Sequence, residues 1–256
     1  MIRFTILGSG TSTGVPLVGC SCPTCLSDDP RDKRLRPSLL IESDTTTVVV
    51  DTSADFRYQM LRYKVRKIDA VVFTHHHFDH IGGFDDLRAF NFMLRKIIPI
   101  YLMEETLENL RRTFIYAFTE VTQKGGGVPV VERHIVYTEA FRIGDISFQP
   151  IPMMHGSLRV NGYRIGNFAY CTDTNYIGEE SLALLAGLDV LILDALRYES
   201  HTTHFNVDQA IQVASRIAAK QTYFTHIAHN IKHDDLSARL PEGIALGYDG
   251  LTFTLQ

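Results

Sequence analysis

The chain has 256 residues, 45% of them hydrophobic and 21% charged, which is ordinary for a globular protein of one large domain or two small ones. No Ser/Pro-rich linker, low-complexity block or repeat divides it, so we predict one domain over residues 1–256. The net charge of −4 argues against broad, nonspecific nucleic-acid binding, because such binding needs a basic face.

The first predicted strand covers residues 3–7 and ends in a glycine-rich loop at residues 8–14. The glycine spacing matches neither the dinucleotide-binding fingerprint nor a P-loop, so it is weak evidence for a phosphate site. The apolar start of the chain is short and interrupted, which predicts no signal peptide, and no stretch approaches a membrane span. Four cysteines, three of them crowded together, do not suggest a secreted disulfide framework, so we expect a cytoplasmic protein.

A cysteine-rich loop follows, with Cys20, Cys22 and Cys25 in the spacing C-x-C-x2-C. Three thiolates this close can converge on one tetrahedral zinc ion, whose fourth ligand must come from elsewhere in the chain. The alternative is a set of free or redox-active cysteines. Residues 28–34 are mostly charged and predict a solvated loop.

Two paired strands are predicted at residues 38–41 and 47–50, and the second ends in Asp51. Asp51 could accept a hydrogen bond from the rear of a metal-ligating imidazole, or it could cap a helix. A helix at residues 54–65 and a buried strand at residues 68–73 follow.

A histidine-rich stretch comes directly after that strand. His75 and His77 are two positions apart, so in an extended segment both imidazoles point the same way. Asp79 and His80 lie where the following glycines let the backbone turn into a helix, so the two pairs can face two adjacent ions. His76 is left out, because the H-E-x-x-H motif that it could begin has no Glu at its second position. The alternative is a solvated loop that happens to be histidine-rich.

The second half of the chain alternates helices and strands. Its predicted elements are helices at 84–98 and 104–118, a strand at 98–102, antiparallel strands at 131–137, 141–152 and 157–171 with turns at Gly144-Asp145 and Asn161-Gly162, a helix at 179–186 and a strand at 188–193. Glycines 125–127 predict a flexible loop, and the sequence leaves open whether residues 112–127 cover a site as a lid.

Several polar residues stand at predicted strand ends in this half. His155, Asp173 and His226 each have an ordinary explanation alone, but together they supply a third histidine, a bridging carboxylate and a histidine for a second ion. Asp194 ends the strand at 188–193, and His204 precedes a helix that opens at residue 206. Its place after a strand end makes His204 a candidate for acid–base chemistry.

The motif T-H-x-H-x-D-H resembles the signature of the metallo-β-lactamase fold superfamily, here Thr74, His75, His77, Asp79 and His80. Relatives hydrolyse lactams, thioesters, phosphodiesters and RNA, so the motif indicates the superfamily rather than the reaction. The resemblance implies an α/β fold, a four-layer αβ/βα sandwich of two mixed sheets flanked by helices. It also implies two metal sites that share Asp173, one with His75, His77 and His155 and the other with Asp79, His80 and His226. An Asp at the end of the strand before the motif is part of the same pattern, which supports the metal-facing role of Asp51.

Two features resemble one branch of the family. Lactam-hydrolysing members commonly use a cysteine at the second ion, whereas here Asp173 fits that position and Cys171 is expected in the core. The cysteine loop at about 19–36, together with His229 three residues after His226, resembles the phosphodiesterase branch related to phosphoribosyl 1,2-cyclic phosphate phosphodiesterase. This implies that His229 completes a structural zinc site, and that His204 contacts the phosphate or the leaving group.

We therefore expect a dimetal phosphodiesterase that hydrolyses small cyclic phosphates, ribose 1,2-cyclic or nucleoside 2′,3′-cyclic, through a dimetal-bridged hydroxide. Asp173 and His204 are the predicted catalytic residues, and Asp51 and Asp194 the predicted supports of ligating or catalytic histidines. The expected cofactors are two divalent ions, manganese or zinc with iron tolerated, and one structural zinc. A small phosphodiester is the expected partner, with no membrane and no extended nucleic acid, and a homodimer is left open.

Two other functions stay open. An RNA-processing nuclease of the same fold would need a long basic arm, and no such segment is visible. A non-catalytic carrier protein, as in a cofactor-biosynthesis relative, would be favoured by missing ligands, whereas every expected position is filled.

Overall fold

The computed structural model describes residues 1–119 and 127–256 of the chain. It has two mixed β-sheets of seven strands each, flanked by helices, which confirms the predicted four-layer αβ/βα sandwich. In sheet order, the first sheet consists of β14 (Thr252–Leu255), β1 (Ile2–Gly8), β2 (Ser38–Glu42), β3 (Thr47–Val50), β4 (Ala70–Val72), β5 (Ile98–Leu102) and β6 (Val131–Ile135). The second consists of β13 (Ile244–Leu246), β12 (Gln221–Thr225), β11 (Val190–Asp194), β10 (Phe168–Cys171), β9 (Leu158–Ile165), β8 (Ile146–His155) and β7 (Phe141–Ile143).

The helices lie outside the sheets. They are α1 (Pro23–Leu26), α2 (Phe56–Arg62), α3 (Phe78–Ile81), α4 (Leu87–Leu94), α5 (Glu104–Thr113), α6 (Ile115–Phe118), α7 (Glu179–Leu184), α8 (Val207–Ile217) and α9 (His233–Ser237), with short 3₁₀ turns at Pro30–Asp32 and Phe84–Asp86. Within the described residues, no helix is long and apolar enough to cross a membrane.

Alternating side chains build three apolar layers between these elements. In β3, Val48 and Val50 point into the layer between the two sheets, while Val49 points into the layer under the outer helices. On the far side, Ala210 and Ala214 of α8 pack against the outer face of the second sheet. Central strands such as β3, β4 and β11 are buried on both faces and are apolar runs, and this pattern made them predictable.

Strand direction decides where the functional residues meet. β3 runs parallel to β4, and β10, β11 and β12 run parallel to one another, so their carboxyl ends share an edge of their sheets. β8 has the same direction as β10, because each pairs antiparallel with β9. The polar residues that follow these strands are therefore brought to one edge of the sandwich.

The helix α8 begins with a capping box. Asn206 accepts a hydrogen bond from the N–H of Gln209 at 2.9 Å, and the Gln209 side chain accepts one from the N–H of Asn206 at 3.0 Å. This reciprocal capping satisfies two backbone donors at the helix start. It fixes the position of the loop that carries His204, just before the helix.

The long helix predicted at residues 104–118 is in fact two helices. Phe114 interrupts it with φ −115° and ψ 48°, and its ring packs 5.1 Å from the ring of Phe84. Phe114 is buried at this interruption, which the periodicity of the sequence alone did not predict. Residues 120–126 lie outside the described residues, and with them most of the loop predicted at 125–127 and part of the possible lid at 112–127.

The turn predicted at Asn161-Gly162 is wrong, because both residues lie inside β9. The turn from β9 to β10 is instead at Gly166, whose φ is 56°. Gly162 serves a close approach rather than a turn: a Cβ there would lie only 2.7 Å from the carbonyl oxygen of Tyr170 on the neighbouring strand.

The charged segment at residues 28–34 is not a solvated loop throughout. The side chains of Asp32 and Arg34 are buried and form an ion pair at 2.9 Å. Arg34 also donates to the carbonyl oxygens of Ala228, at 3.3 Å, and Ile231, at 2.9 Å. The segment is buried because it joins the N-terminal loop to the chain after β12, a contact between residues distant in sequence.

Candidate metal centre

The seven residues predicted as ligands of two ions lie together at the edge where the strands end. Their ligand atoms form two groups, each with all atoms within 4.8 Å of one another: His75, His77 and His155 in one, and Asp79, His80, Asp173 and His226 in the other. Asp173 also lies within this distance of His155 and His204, which places it between the two groups. That these residues hold two ions stays a prediction.

The spacing of the donor atoms fits a divalent metal. Asp173 Oδ2 lies 3.1 Å from His80 Nε2, and Asp173 Oδ1 lies 3.1 Å from His226 Nε2. Ligands about 2.1 Å from a tetrahedral ion are about 3.4 Å apart, so these separations are those of a coordination shell. The Nε2 atoms of His75 and His80 are buried, and neither has a hydrogen-bond partner within the described residues.

The charges of the site also favour a cation. Burial alone would lower the pKa of His80, yet Asp173, Asp79 and Asp51 raise it well above its usual value. Burial lowers the pKa of His75, so this imidazole is neutral and able to act as a ligand. The site therefore combines buried carboxylates, which need a positive charge, with neutral nitrogen ligands.

Two of the candidate ligand histidines are oriented by hydrogen bonds to the ring nitrogen that faces away from the cluster. His80 Nδ1 donates to Asp51 Oδ2 at 2.7 Å, and His155 Nδ1 donates to the carbonyl oxygen of Thr203, also at 2.7 Å. These bonds leave the Nε2 atom of each ring for the candidate ion. Asp51 therefore makes the hydrogen bond of the first role predicted for it, while ligation of a metal by His80 stays a prediction; Asp51 caps no helix, because Asp55 precedes α2.

Three residues of the site have an unusual backbone conformation. Asp51, Asp173 and His226 have positive φ angles of 62°, 55° and 61°, and each directly follows or closely follows the end of a strand. A left-handed conformation is unfavourable for residues other than glycine and is retained where the surroundings require it. Here it turns each side chain back towards the cluster.

His204 lies beside the clusters, supported by a carboxylate. Its Nδ1 atom is 3.0 Å from Asp194 Oδ2, and its ring stacks on His226 with a centroid distance of 4.6 Å. Burial alone would lower the pKa of His204, but the adjacent Asp194 raises it to about 9, with Asp173 adding to the effect. The raised pKa favours the protonated ring, which can donate a proton. Asp194 lies behind His204, and the acid–base role of His204 stays a prediction.

The cysteine loop forms a second candidate metal site. The ligand atoms of Cys20, Cys22, Cys25 and His229 all lie within 4.8 Å of one another, and His229 Nδ1 is 3.4 Å from Cys20 Sγ and 3.5 Å from Cys22 Sγ. Hydrogen bonds from the backbone of Cys25 and from His229 lower the pKa of Cys22 to about 6, which favours the thiolate that zinc binds. The geometry fits tetrahedral zinc, and the bound ion stays a prediction.

Asn175 is a residue of the site that the sequence did not reveal. Its Oδ1 accepts from the N–H of Gly156 at 2.7 Å, and its Nδ2 donates to the carbonyl oxygen of Thr202 at 3.0 Å. It thus connects the loop after His155 to the loop before His204. Its position two residues after Asp173 was the only signal, and nothing in the sequence named its partners. Cys171, by contrast, is buried in the core, as predicted.

Comparison with known proteins agrees with this arrangement. The family model of the beta-lactamase superfamily domain matches residues 46–227. An octanoyltransferase of Porphyromonas gingivalis is 37% identical over 254 residues, which cover 98% of this chain and 51% of that protein, so the chain spans about half of its length.

Three solved structures share the fold. A crystal structure of a diphosphatase of the PhnP family is 42% identical, with a TM-score of 0.93 over 100% of this chain and 98% of that one. Zn²⁺-bound PqqB from Methylobacterium extorquens is 20% identical, with a TM-score of 0.78 over 99% of this chain and 100% of that one. The short form of human tRNase Z is 15% identical, with a TM-score of 0.72 over 99% of both chains. The chain therefore belongs to the beta-lactamase superfamily, in the phosphodiesterase branch of the metallo-β-lactamase fold.

Proposed function

We propose that this protein is a dimetal phosphodiesterase that hydrolyses small cyclic phosphates, of the ribose 1,2-cyclic or nucleoside 2′,3′-cyclic kind. The observation that carries this proposal is the position of Asp173 between two groups of metal-competent side chains, with the His204–Asp194 pair beside them. A phosphodiester has one phosphorus and two ester oxygens, and this arrangement offers cations for its charge and an acid for one of those oxygens.

The residues divide the chemistry between them. The two clusters would hold divalent ions, manganese, zinc or iron, which lower the pKa of water and stabilise charge on attacking and leaving oxygens. Asp173 orients both groups of ligands. His204 has its Nδ1 engaged by Asp194, so its Nε2–H can donate to the sugar oxygen that leaves as the ring opens.

The comparisons support a phosphorus substrate more than an acyl one. The relative of known structure at 42% identity is named a diphosphatase, so its substrate too has phosphorus at the reacting centre. Acyl transfer commonly uses a covalent nucleophile, but Cys171 is fully buried, and burial raises its pKa to about 12. The other three cysteines lie in the candidate zinc site. The octanoyltransferase named above is about twice as long as this chain, so its name does not assign acyl transfer to the half that this chain matches.

The test is turnover of metal-defined protein on a panel: a bis-aryl phosphodiester, nucleoside 2′,3′-cyclic phosphates, a ribose 1,2-cyclic phosphate, pre-tRNA, an octanoyl thioester and a lactam. Phosphodiester turnover should far exceed that of the thioester and the lactam. A thioester that outpaces every phosphodiester would overturn the proposal, and efficient processing of pre-tRNA would favour the nuclease. A metal content of one zinc and no other transition metal would favour the non-catalytic carrier.

The variant Asp173→Ala tests the shared carboxylate directly. It should reduce phosphodiester turnover by a factor of about 10³ or more and lower the occupancy of both ions, because ligand atoms of both groups lie within 4.8 Å of the Asp173 carboxylate. Asp208→Ala, which removes an exposed carboxylate of α8, is the matched control and should change neither quantity. Retention of both ions and of turnover in Asp173→Ala would contradict the bridging role.

A further inference from the structure

A cavity opens on the outer face of the first sheet, away from the candidate metal centre. Its volume is about 430 Å³, and its lining includes the side chains of Thr5, Thr47 and Thr252 from the strands and residues 63–67 after α2. Thr47 begins β3, whereas Asp51 follows the other end of the same strand. With a rise of about 3.3 Å per residue, the four-residue strand separates the two places by roughly 13 Å along the backbone. The cavity is therefore at the opposite edge of the sheet from the candidate ions.

The lining of this cavity is strongly basic. It contains four cations, Arg3, Lys64, Arg66 and Lys67, against one carboxylate, Glu42. Arg3 donates to Glu42 Oε2 at 2.9 and 3.1 Å, so this pair neutralises itself. Lys67 lies 3.5 Å from Asp69. Among residues 1–119 and 127–256, no carboxylate lies within ion-pair distance of Lys64 or Arg66. A protein of net charge −4 thus has a local excess of positive charge in a concave surface.

Lys64 reaches the cavity from a strained backbone position. Its φ is 55°, in the left-handed region that usually holds glycine at the end of a helix. The N–H of Lys64 bonds to the carbonyl oxygen of Leu61, and that of Val65 to the carbonyl oxygen of Met60, which is the hydrogen bonding of a glycine-type helix end. A long cationic side chain is therefore present at a position whose backbone conformation favours glycine.

We propose that this cavity binds a small phosphorylated molecule, as a second ligand site independent of the metal centre. Lys64 and Arg66 would neutralise the phosphate, since they lack a carboxylate partner in the described part of the chain. On the floor, the hydroxyl of Thr47 can donate to a phosphate or sugar oxygen, whereas the hydroxyls of Thr5 and Thr252 bond to each other at 3.0 Å. The volume is in the range of small-molecule sites, and the concave shape favours such a ligand over an extended polymer.

The probe for this site is adenosine monophosphate, titrated calorimetrically into the metal-loaded protein at low salt. The test variant combines Lys64→Gly with Arg66→Gln. The control combines Arg95→Gly with Arg111→Gln, because Arg95 is also a cation in the left-handed conformation at a helix end, with φ 51°, and neither arginine lines the cavity. Both variants lose two positive charges, and in both a glycine relieves the same backbone strain, so neither should fold poorly.

The affinity for the nucleotide should fall about tenfold in the Lys64/Arg66 variant and stay unchanged in the control pair. Binding should also survive Asp173→Ala, which alters the metal centre and not the cavity, while turnover of an aryl phosphodiester should be unchanged in the Lys64/Arg66 variant. Equal affinity in the Lys64/Arg66 variant and the wild type would overturn the proposal. So would loss of binding in Asp173→Ala with retention in the Lys64/Arg66 variant, or the absence of binding to the wild type at millimolar concentration.

Discussion

At the scale of single residues, the two sheets contribute equivalent supports to the site. Asp51 follows β3 of the first sheet and holds His80, while Asp194 ends β11 of the second sheet and holds His204. Each carboxylate accepts a bond from the Nδ1 atom of its histidine, so each ring presents Nε2 to the centre. The two histidines differ in their other neighbours. His80 Nε2 lies near the carboxylates of Asp79 and Asp173, whereas the ring of His204 stacks on His226, itself a candidate ligand.

This difference predicts the behaviour of His204→Ala. The variant should keep both ions and lose about 10²–10⁴ in turnover of a cyclic nucleotide, because a sugar alkoxide is a poor leaving group that needs a proton. The loss should be much smaller for an activated aryl phosphodiester, whose leaving group is stable as an anion. Metal analysis and the two rates on the same preparations measure this.

His201→Ala is the matched control, because its ring is 5.2 Å from that of His204 in the same loop but has no carboxylate partner in the described part of the chain. It should leave the ratio of the two rates unchanged. Equal losses of His204→Ala on both substrates would assign it to phosphate positioning, and loss of an ion would make it a ligand.

At the scale of elements, the loop between β1 and β2 forms several contacts with the segment that follows β12. Cys20 and Cys22 contact His229, the buried Arg34 bonds to the carbonyl oxygens of two residues of that segment, and Gly10 pairs with Ile227. His226, a candidate ligand of the second ion, begins the same segment. The loop between β1 and β2 thus holds one candidate metal ligand in place from a distant part of the chain.

Cys22→Ser should therefore lose about one zinc equivalent and lower the melting temperature, since binding of a structural zinc is coupled to folding. Cys171→Ala is the matched control: it also removes one thiol, but from the apolar core, so it should keep the full zinc content whatever it does to stability. Zinc analysis and thermal unfolding decide the matter. Full zinc content in Cys22→Ser would show that the cysteines bind no zinc.

At the scale of the whole molecule, a buried carboxylate near the C-terminus connects distant parts of the first sheet. Asp249 accepts hydrogen bonds from the N–H and Oγ of Ser9, at 2.9 and 2.8 Å, and from the N–H of Leu35, at 2.8 Å. These bonds lower its pKa, but burial has the larger effect and raises the pKa from 3.8 to about 6.

Stability should consequently depend on pH through Asp249. Between pH 4 and 6 the folded state binds more protons at this group than the unfolded state, so the free energy of unfolding falls as pH rises through this window. Relative to Asp249→Asn, which does not titrate, the wild type should lose about 2 kcal/mol from pH 4 to pH 7. Urea unfolding of both proteins across this range measures the difference and cancels the titration of the metal ligands.

A control for this slope is Asp145→Asn. Hydrogen bonds from Thr46 and Ser43 lower the pKa of Asp145 to about 2, so its folded-state titration lies below the window and the difference from the wild type should change only slightly, in the opposite direction. Parallel pH curves for the wild type and Asp249→Asn would contradict the raised pKa of Asp249.

The sequence by itself determined most of the elements and the choice of candidate ligands. Apolar runs such as β3 and β4 predict strands that are buried on both faces, and Asn206 indicates the start of a helix. Both signals are local, because they involve residues close together in the chain. The histidine-rich stretch after β4 was predictable for the same reason, since its two pairs of ligands are local.

Only the tertiary structure decided how distant residues meet. The sequence suggested a turn at Asn161-Gly162, but Tyr170 on the next strand needed that glycine for close contact. It suggested a solvated segment for Arg34, whose carbonyl partners lie almost 200 residues further on. It contained no sign of the left-handed backbone at Asp173 and His226. Such features depend on contacts between segments that are distant in the chain. The sequence neighbours of a residue do not reveal which distant residue it will contact.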